Sequence, residues 1–298
     1  YYDIGDDTMA KITVGIMYDF DKTLCTTDMQ NYGFIKDLGM ESEEFWSYAS
    51  QNTKKHSMDK ILSYMFMMVQ KAKEKGIPLT EEYLKSLGET VVLYRGVLTW
   101  FDRINAFAEA VGVNLEHYVI SSGVKEIIEG TPIAKYFKKI YGCKFLYDPK
   151  TKEAIWPSMA INYTQKTQYI FRISKGALDE TDEEKLNTET KDEARAIQYR
   201  HMIYIGDGLT DIPCMQLLKD KGGKSIALYQ PHNKDKVIPL VEDGRINYVC
   251  VADYSANSNL DKIVKLMIEN MAMLENLKTK EEKQLLSFSK SMEMQNEN

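Results

Sequence analysis

The apolar run Ile12–Tyr18 constrains the fold of this chain more than any other stretch. It is rich in residues that favour strands, and two carboxylates, Asp19 and Asp21, follow it directly. The run therefore predicts a buried strand with an Asp-x-Asp pair at its carboxyl end. Open α/β sheets bind their ligands at the carboxyl ends of the strands, so this pair lies where chemistry is expected.

Short strand patterns recur along the chain and alternate with helical patterns. Strands are predicted over 117–120, 139–145, 202–205, 225–229 and 248–252, with a hairpin or flap over 144–163. Helices are predicted over 98–111, 124–136, 164–176, 212–218 and 259–277. This alternation predicts an α/β fold with a doubly wound, parallel, Rossmann-like sheet.

The stretch that follows the first strand has a different pattern. Residues 28–94 contain helical periodicities and no strand pattern, and Ser57 is the predicted N-cap of a long helix within them. We therefore predict an all-helical subdomain that is inserted directly after the first strand. The predicted boundaries are 9–25 and 95–278 for the sheet domain, 26–94 for the helical insert, and 279–298 for a polar tail that frays or is disordered.

Charge and hydropathy argue against several classes of function. The formal net charge of −6 gives no indication of a surface for nucleic acid or anionic membranes. No apolar run approaches the ~18 residues of a membrane span, and no secretory signal is visible. We therefore expect a cytoplasmic protein without a nucleic-acid or membrane partner. The sequence leaves open the oligomeric state and whether residues 1–8, which precede Met9, are native.

The four cysteines do not indicate a metal site. Cys25, Cys143, Cys214 and Cys250 form no CxxC pair and no cluster with histidine, so a zinc site is not expected. Each lies in or beside an apolar stretch, which is typical of small buried thiols in a reducing compartment.

Three of the predicted strands end in polar signatures. These are Asp19-Phe20-Asp21-Lys22-Thr23, Ser121-Ser122-Gly123 and Gly206-Asp207-Gly208-Leu209-Thr210-Asp211. Because parallel strands place their carboxyl ends at one edge of the sheet, four carboxylates should meet in one crevice. Clustered carboxylates repel one another and need a cation, and their hard oxygen atoms favour Mg²⁺.

This set of groups is suited to phosphoryl transfer. A carboxylate beside Mg²⁺ can attack phosphorus and form an aspartyl-phosphate intermediate. A second carboxylic acid two residues on can protonate the departing oxygen and later take a proton from the attacking water. Backbone N–H groups of a Ser-Gly turn at a helix N-terminus suit phosphate oxygens, and a lysine adds positive charge.

The pattern resembles the haloacid dehalogenase-like hydrolase superfamily, and within it the phosphoserine-phosphatase-like enzymes with a helical cap. The resemblance extends from about Lys11 to the last helix. It implies that Asp19 is the nucleophile and a metal ligand. It also implies that Asp21 is the general acid/base, with its backbone carbonyl on the metal, and that Thr23 supports the loop.

The other motifs of the resemblance imply contacts to phosphate and metal. The implied phosphate contacts are Ser121, Ser122 and Gly123. The motif lysine is assigned to Lys166, with Lys175 as the alternative. Asp207 would bind Mg²⁺, and Asp211 would bind it or orient its water ligands.

The resemblance also bears on the reaction and the substrate. An acid at Asp21 argues for phosphate-ester hydrolysis, and a cap that closes over the crevice argues for a small phosphorylated metabolite. Asp28 stands where phosphoserine phosphatases carry an acid that holds the substrate amine, but a helix N-cap is an equally good interpretation. Arg95 could contact an anionic substrate tail, although an exposed structural role is favoured.

Two other functions remain compatible with these motifs. A phosphotransferase or phosphomutase would pass the phosphoryl group from Asp19 to a sugar or an alcohol instead of water. A non-catalytic phosphate-ligand-binding protein is disfavoured because no motif residue is missing. The predicted function is therefore a Mg²⁺-dependent phosphatase, and the sequence leaves its substrate open.

Overall fold

The computed structural model describes residues 12–296 of the chain, except for the side chains of residues 291 and 293–296, so residues 1–8 lie outside it. Its strands are β1 (Ile12–Tyr18), β2 (Val113–Val124), β3 (Phe137–Tyr147), β4 (Ala154–Met159), β5 (Met202–Gly206), β6 (Lys224–Tyr229) and β7 (Tyr248–Val251). Its helices are α1 (Phe34–Asp37), α2 (Ser42–His56), α3 (Lys60–Lys75), α4 (Glu81–Leu87), α5 (Val97–Ala110), α6 (Lys125–Glu129), α7 (Gln165–Lys175), α8 (Glu183–Asn187), α9 (Ile212–Asp220), α10 (Ile238–Glu242) and α11 (Asn259–Asn296).

A seven-stranded sheet in the order β4-β3-β2-β1-β5-β6-β7 confirms the predicted α/β fold class. β1 pairs in parallel with β2 on one side and with β5 on the other. Among the described strands, β4 alone runs antiparallel, and it forms the predicted hairpin with β3. Residues 14–18 of β1 are buried, as expected for a strand in the middle of a covered parallel sheet.

The strand order reverses at β1. The chain leaves β1 towards β2 on one side and reaches β5, on the other side, only after β4. The carboxyl end of β1 is therefore the topological switch point, which is where open α/β sheets bind ligands. Asp19 follows β1 directly, and its N–H donates to the Ile205 carbonyl of β5 at 2.9 Å. This hydrogen bond fixes the start of the Asp-x-Asp loop at the switch point.

Helices α1 to α4 occupy the described residues between β1 and α5, in the stretch predicted to be helical. The Ala154 N–H of β4 donates to the Leu79 carbonyl at 2.8 Å, and the Tyr64 hydroxyl of α3 donates to the Ser122 carbonyl of β2 at 2.7 Å. These contacts hold the helical insert against β4 and against the carboxyl end of β2. The exact domain boundaries stay a prediction.

The prediction that Ser57 is a helix N-cap is wrong. Ser57 has a φ of +50° and ends α2, whereas α3 begins after Asp59. The Asp59 carboxylate accepts hydrogen bonds from the Ile61 and Leu62 N–H groups at 2.8 and 3.1 Å. Ser57 and Met58 connect α2 to Asp59, so the N-cap of α3 lies two residues after the predicted position.

Two predicted helices differ in length from the observed ones. A helix is predicted over 124–136, but the observed helix α6 is shorter. Gly130 and Pro132 follow α6, and a proline disfavours helical backbone at the residue before it. The predicted frayed tail instead continues α11 to Asn296, since residues 278–290 lack Gly and Pro and are rich in helix formers. No helix within residues 12–296 combines the length and hydropathy needed to cross a membrane.

A substitution at Gly96, where the chain returns from the helical insert to the sheet domain, tests how closely the backbone packs there. Its φ is +85°, and a Cβ there would lie 2.3 Å from the Ser255 backbone nitrogen. We expect Gly96→Ala to lower the free energy of unfolding by about 2–5 kcal/mol, through left-handed backbone strain and overpacking. Gly112→Ala is the matched control and should cost about 1–2 kcal/mol, because Gly112 has a φ of +76° with no atom within 4 Å of such a Cβ. Urea unfolding followed by circular dichroism measures both, and equal losses would contradict a tight contact at Ser255.

Candidate active site

The carboxyl ends of β1, β2 and β5 adjoin one cavity of about 360 Å³. The sheet side of its lining includes Asp19, Asp21, Ser121, Ser122 and Asp207. Trp46 of α2, together with Ile61 and Tyr64 of α3, lines it from the helical insert. The structure thus brings residues from all three strand-end motifs to one cavity.

Three carboxylates form the centre of this site. One oxygen from each of Asp19, Asp207 and Asp211 lies within 4.8 Å of the other two, and all three residues are buried. The Asp211 carboxylate accepts hydrogen bonds from the Tyr204 hydroxyl at 2.7 Å and from the Gly208 N–H at 3.1 Å. Burial and the Asp211 charge raise the pKa of Asp19 to about 7, and burial also raises the pKa of Asp207. Such a cluster needs positive charge if it is to stay ionised.

Lys166 supplies part of that charge. Its side chain is fully buried, with Nζ 2.7 Å from Asp211 Oδ1 and 3.1 Å from Asp19 Oδ1. Burial lowers the pKa of Lys166, but the two carboxylates raise it further, so the net shift is upward. Lys175, the alternative motif lysine, donates to two backbone carbonyls at 2.6 and 2.7 Å and does not line the cavity. The geometry therefore favours Lys166.

Asp21 lines the cavity, but its carboxylate lies outside the cluster of three. Its Oδ1 accepts a hydrogen bond from the Met29 N–H at 2.8 Å. A Cβ at Gly123 would lie 3.0 Å from Asp21 Oδ2 and 2.0 Å from Met29 Cε, so a larger residue there would have to displace the end of the Met29 side chain. Burial, with the nearby Asp28 and Asp19 charges, raises the pKa of Asp21 well above its usual value. A carboxyl group in this environment retains a proton that it can donate to an oxygen in the cavity.

A family comparison covers this whole arrangement. The model of the haloacid dehalogenase-like hydrolase family matches residues 16–216, a range that contains all four site aspartates and Lys166. The chain belongs to the haloacid dehalogenase-like hydrolases. The superfamily that the motifs resemble is therefore confirmed.

Three known proteins are similar to this hydrolase in sequence or in fold. An uncharacterized protein of Borreliella burgdorferi is 26% identical over 273 aligned residues, and the match covers 83% of this chain and 93% of that protein. A HAD family hydrolase from Salmonella enterica subsp. enterica serovar Typhi has a TM-score of 0.55 at 16% identity, over 86% of this chain and 72% of that chain. A substrate-bound phosphoserine phosphatase has a TM-score of 0.54 at 14% identity, over 86% of this chain and 99% of that chain. At these identities the two solved structures show a shared fold, which confirms the predicted phosphoserine-phosphatase-like architecture.

The predicted phosphate-binding turn of the hydrolase lies at an irregularity within β2. Residues 121–123 lie within β2, because its pairing with β3 resumes at Val124 after an irregularity. The Gly123 N–H donates to Ser121 Oγ at 2.9 Å and is engaged within the segment. The buried Ser122 Oγ has no hydrogen-bond partner among the described residues. Ser121 and Ser122 both line the cavity and stay candidates for binding phosphate.

Lys236 is a site residue that the sequence reasoning missed. Its Nζ lies 2.6 Å from Asp207 Oδ2, and the residue lines the cavity. It belongs to the short 3₁₀ helix Lys234–Val237, which follows β6. Because β6 is parallel to β5, its carboxyl end lies at the same edge of the sheet. The strand-end argument, applied to β6 as well, could have identified this lysine.

The two candidate substrate contacts have different surroundings. Asp28 lines the cavity and precedes the 3₁₀ helix Met29–Asn31, but its carboxylate makes no capping hydrogen bond. It pairs instead with Lys22, whose Nζ lies 2.9 and 2.7 Å from the two carboxylate oxygens. The Arg95 side chain is 81% exposed, lies 4.0 Å from Asp253 and is not part of the cavity lining. The structure therefore does not support Asp28 as a helix N-cap. It supports an exposed structural role for Arg95.

The cysteines are free and buried, as predicted. Cys25 lies beside the site, with Sγ 3.7 Å from Asp21 Oδ1. Burial and the Asp21 charge raise the pKa of this thiol well above its usual value. Cys25 is thus held as a protonated, poorly nucleophilic thiol.

Proposed function

We propose that this hydrolase is a Mg²⁺-dependent phosphatase that hydrolyses a small phosphorylated metabolite through an aspartyl-phosphate intermediate. The observation that carries the proposal is the setting of Asp19. Its carboxylate lies beside Lys166 within a cluster of buried carboxylates, and it shares a cavity with Asp21. A nucleophile held beside positive charge, with an acid in the same cavity, is what covalent phosphoryl transfer requires.

The donor set of the site fits Mg²⁺. Asp19, Asp207 and Asp211 offer oxygens within 4.8 Å of one another, and carboxylate oxygens are the ligands that this ion prefers. The site pairs these three carboxylates with two ammonium groups, Lys166 and Lys236, so negative charge remains for a divalent cation to balance. We infer that the three clustered aspartates hold the ion, with the backbone carbonyl of Asp21. When bound, it would neutralise charge that develops on the phosphoryl oxygens.

The two aspartates that follow β1 divide the reaction between them. An Asp19 oxygen forms a bond to phosphorus while the bond from phosphorus to the ester oxygen breaks, and Asp21 donates its proton to that oxygen. Water then attacks the phosphorus of the aspartyl-phosphate, and Asp21 takes a proton from that water. The bond between phosphorus and the Asp19 oxygen breaks, which releases inorganic phosphate and regenerates the Asp19 carboxylate. Lys166 holds Asp19 in position at 3.1 Å and stabilises negative charge on the transferring group. Ser121 and Ser122 bind its oxygens.

The helical insert supports a small substrate. The cavity of about 360 Å³ is bounded on the insert side by Trp46, Ile61 and Tyr64. The hydrogen bond of 2.7 Å from Tyr64 to the Ser122 carbonyl holds α3 against the phosphate-binding segment. A macromolecule would have to displace this insert to reach Asp19, so we infer a metabolite as substrate and no nucleic-acid or membrane partner.

Removal of the metal tests the proposed function. We expect the purified protein to release phosphate from p-nitrophenyl phosphate with Mg²⁺, and to lose about 100-fold or more of this rate in EDTA, because the ion supplies several kcal/mol of transition-state stabilisation. Added Mg²⁺ should restore the rate. Full activity in EDTA would contradict the proposal.

The same assay separates hydrolysis from transfer. Hydrolysis releases nitrophenol and phosphate in equal amounts, with or without an alcohol such as glycerol as acceptor. Nitrophenol in excess over free phosphate in the presence of glycerol would instead identify a phosphotransferase on the same aspartate.

A further inference from the structure

Gln30 lines the cavity but has no role in the proposed chemistry. It lies in the 3₁₀ helix Met29–Asn31 at the start of the insert. The residue is 1% exposed, yet its Oε1 is buried without a hydrogen-bond partner among the described residues. A buried amide oxygen without a partner is costly, and native proteins keep few of them. A ligand in the cavity that donates a hydrogen bond would satisfy it.

The aromatic side chains around Gln30 already have partners for their polar atoms. Trp46 Nε1 donates to Asn31 Oδ1 at 3.0 Å, and the Tyr64 hydroxyl donates to the Ser122 carbonyl at 2.7 Å. These side chains therefore present their rings to the cavity, and Ile61 presents aliphatic surface. The insert side of the cavity combines an apolar wall with an amide oxygen that needs a donor.

The charged groups on this side of the cavity neutralise each other. Lys22 Nζ lies 2.7 Å from Asp28 Oδ2 and 2.9 Å from Oδ1. A charged leaving group would therefore meet an ion pair whose charges are already balanced, and not an isolated opposite charge. The described lining contains no arginine that could hold a carboxylate.

We propose that Gln30 determines substrate specificity by accepting a hydrogen bond from the hydroxyl group of an uncharged, polyol-like leaving group. The carbon skeleton of that leaving group packs against Trp46 and Ile61. This inference rests on the proposed function and specifies its substrate class. The substrates are phosphate monoesters of neutral hydroxyl compounds, and esters of amino acids, amines and carboxylic acids are discriminated against.

A series of three-carbon phosphate esters tests this on the wild-type protein with Mg²⁺. The leaving group of glycerol 3-phosphate is uncharged and carries hydroxyl groups, and that of propyl phosphate is uncharged without them. The leaving group of 3-aminopropyl phosphate carries a positive charge. The leaving groups of phosphoserine and 3-phosphoglycerate carry a carboxylate. We expect kcat/KM to be highest for glycerol 3-phosphate, by about 10-fold or more, because a site built to pair with a hydroxyl rejects analogues without it. A higher value for phosphoserine or 3-aminopropyl phosphate would overturn the inference and leave the phosphatase proposal intact. If neither these esters nor p-nitrophenyl phosphate are hydrolysed, both proposals fail.

Two substitutions of Gln30 test its role directly. Gln30→Met removes the acceptor, and we expect it to lower kcat/KM for glycerol 3-phosphate by about 10–100-fold and for propyl phosphate by less. Gln30→Glu introduces a carboxylate and should raise the rate for 3-aminopropyl phosphate relative to glycerol 3-phosphate. The same substitutions at Gln70, which is exposed on α3 outside this cavity, are the matched controls and should leave these ratios unchanged. The inference would be overturned if Gln30→Met kept the wild-type ratio of kcat/KM for glycerol 3-phosphate to kcat/KM for propyl phosphate.

Discussion

Asp19→Asn is expected to abolish phosphate release, with a fall in kcat of about four orders of magnitude or more, because a carboxamide is not a nucleophile towards phosphorus. The substitution preserves the size and shape of the side chain. The Phe20 N–H, which donates to Asp19 Oδ1 at 2.8 Å, can donate to the amide oxygen instead. The loss of activity would therefore be chemical and not structural.

The stability of Asp19→Asn provides an independent readout. Burial and the Asp211 charge raise the pKa of Asp19 to about 7, which means that the folded protein disfavours the charged form. A neutral amide removes that penalty, although it also takes one carboxylate away from Lys166. We expect the urea midpoint of the variant in EDTA to equal or exceed that of the wild type.

A chemical trap and a control complete this test. Rapid acid quenching followed by mass spectrometry should detect a phosphoryl group on the wild-type peptide that contains Asp19, and none on the variant peptide. Asp220→Asn is the control, because Asp220 is exposed at the end of α9 and should affect neither activity nor stability. A kcat above about one hundredth of the wild-type value in Asp19→Asn would contradict its assignment as the nucleophile.

The sheet could be predicted from the sequence because each of its strands carries a local signal. β1 is an apolar run, and β5 ends in a glycine-flanked aspartate, so the succession of strands along the chain follows from short stretches. Their order in the sheet, and with it the switch point at β1, is known only from the fold. Helix ends were harder, because they depend on competition between neighbouring residues. Asp59 replaces Ser57 as a cap, and Pro132 shortens α6.

The aspartates of the site could be predicted from the sequence because they follow strands. Some of the lysine and amide side chains of the site could not be predicted in this way. Lys166 and Lys175 lie on the same helix, and only the fold shows that the first is buried against Asp19 and the second is not. Lys236 follows the end of β6, so its place at the site could have been inferred, but its pairing with Asp207 over a separation of 29 residues needs the fold. The missing partner of Gln30 is likewise a property of the packed cavity and not of its sequence neighbours.

Lys166→Met is expected to reduce both stability and activity. Its Nζ lies 2.7 Å from Asp211 Oδ1 and 3.1 Å from Asp19 Oδ1 with no exposed side-chain surface. Its loss leaves buried carboxylates without their partner, which should destabilise the protein in EDTA by about 3–5 kcal/mol. With Mg²⁺, kcat should fall by about 10²–10³-fold, because the group that holds Asp19 and stabilises the transferring phosphoryl group is gone. Lys175→Met, on the same helix but outside the cavity, is the matched control and should retain wild-type kcat.

The pH dependence of Lys166→Met separates an electrostatic cause from a packing defect. An acid whose pKa is raised by folding binds its proton more tightly in the folded state, so stability rises as the pH falls through that pKa. The pKa of Asp19 is already raised from 3.8 to about 7, and Lys166 is one of the groups that lower it, so the variant should shift it higher still. In EDTA, the deficit in urea midpoint relative to the wild type should therefore shrink as the pH falls from about 8 to about 6. A constant deficit over this range would show that Lys166 supports the fold through packing, and that the charge balance inferred for the site is wrong.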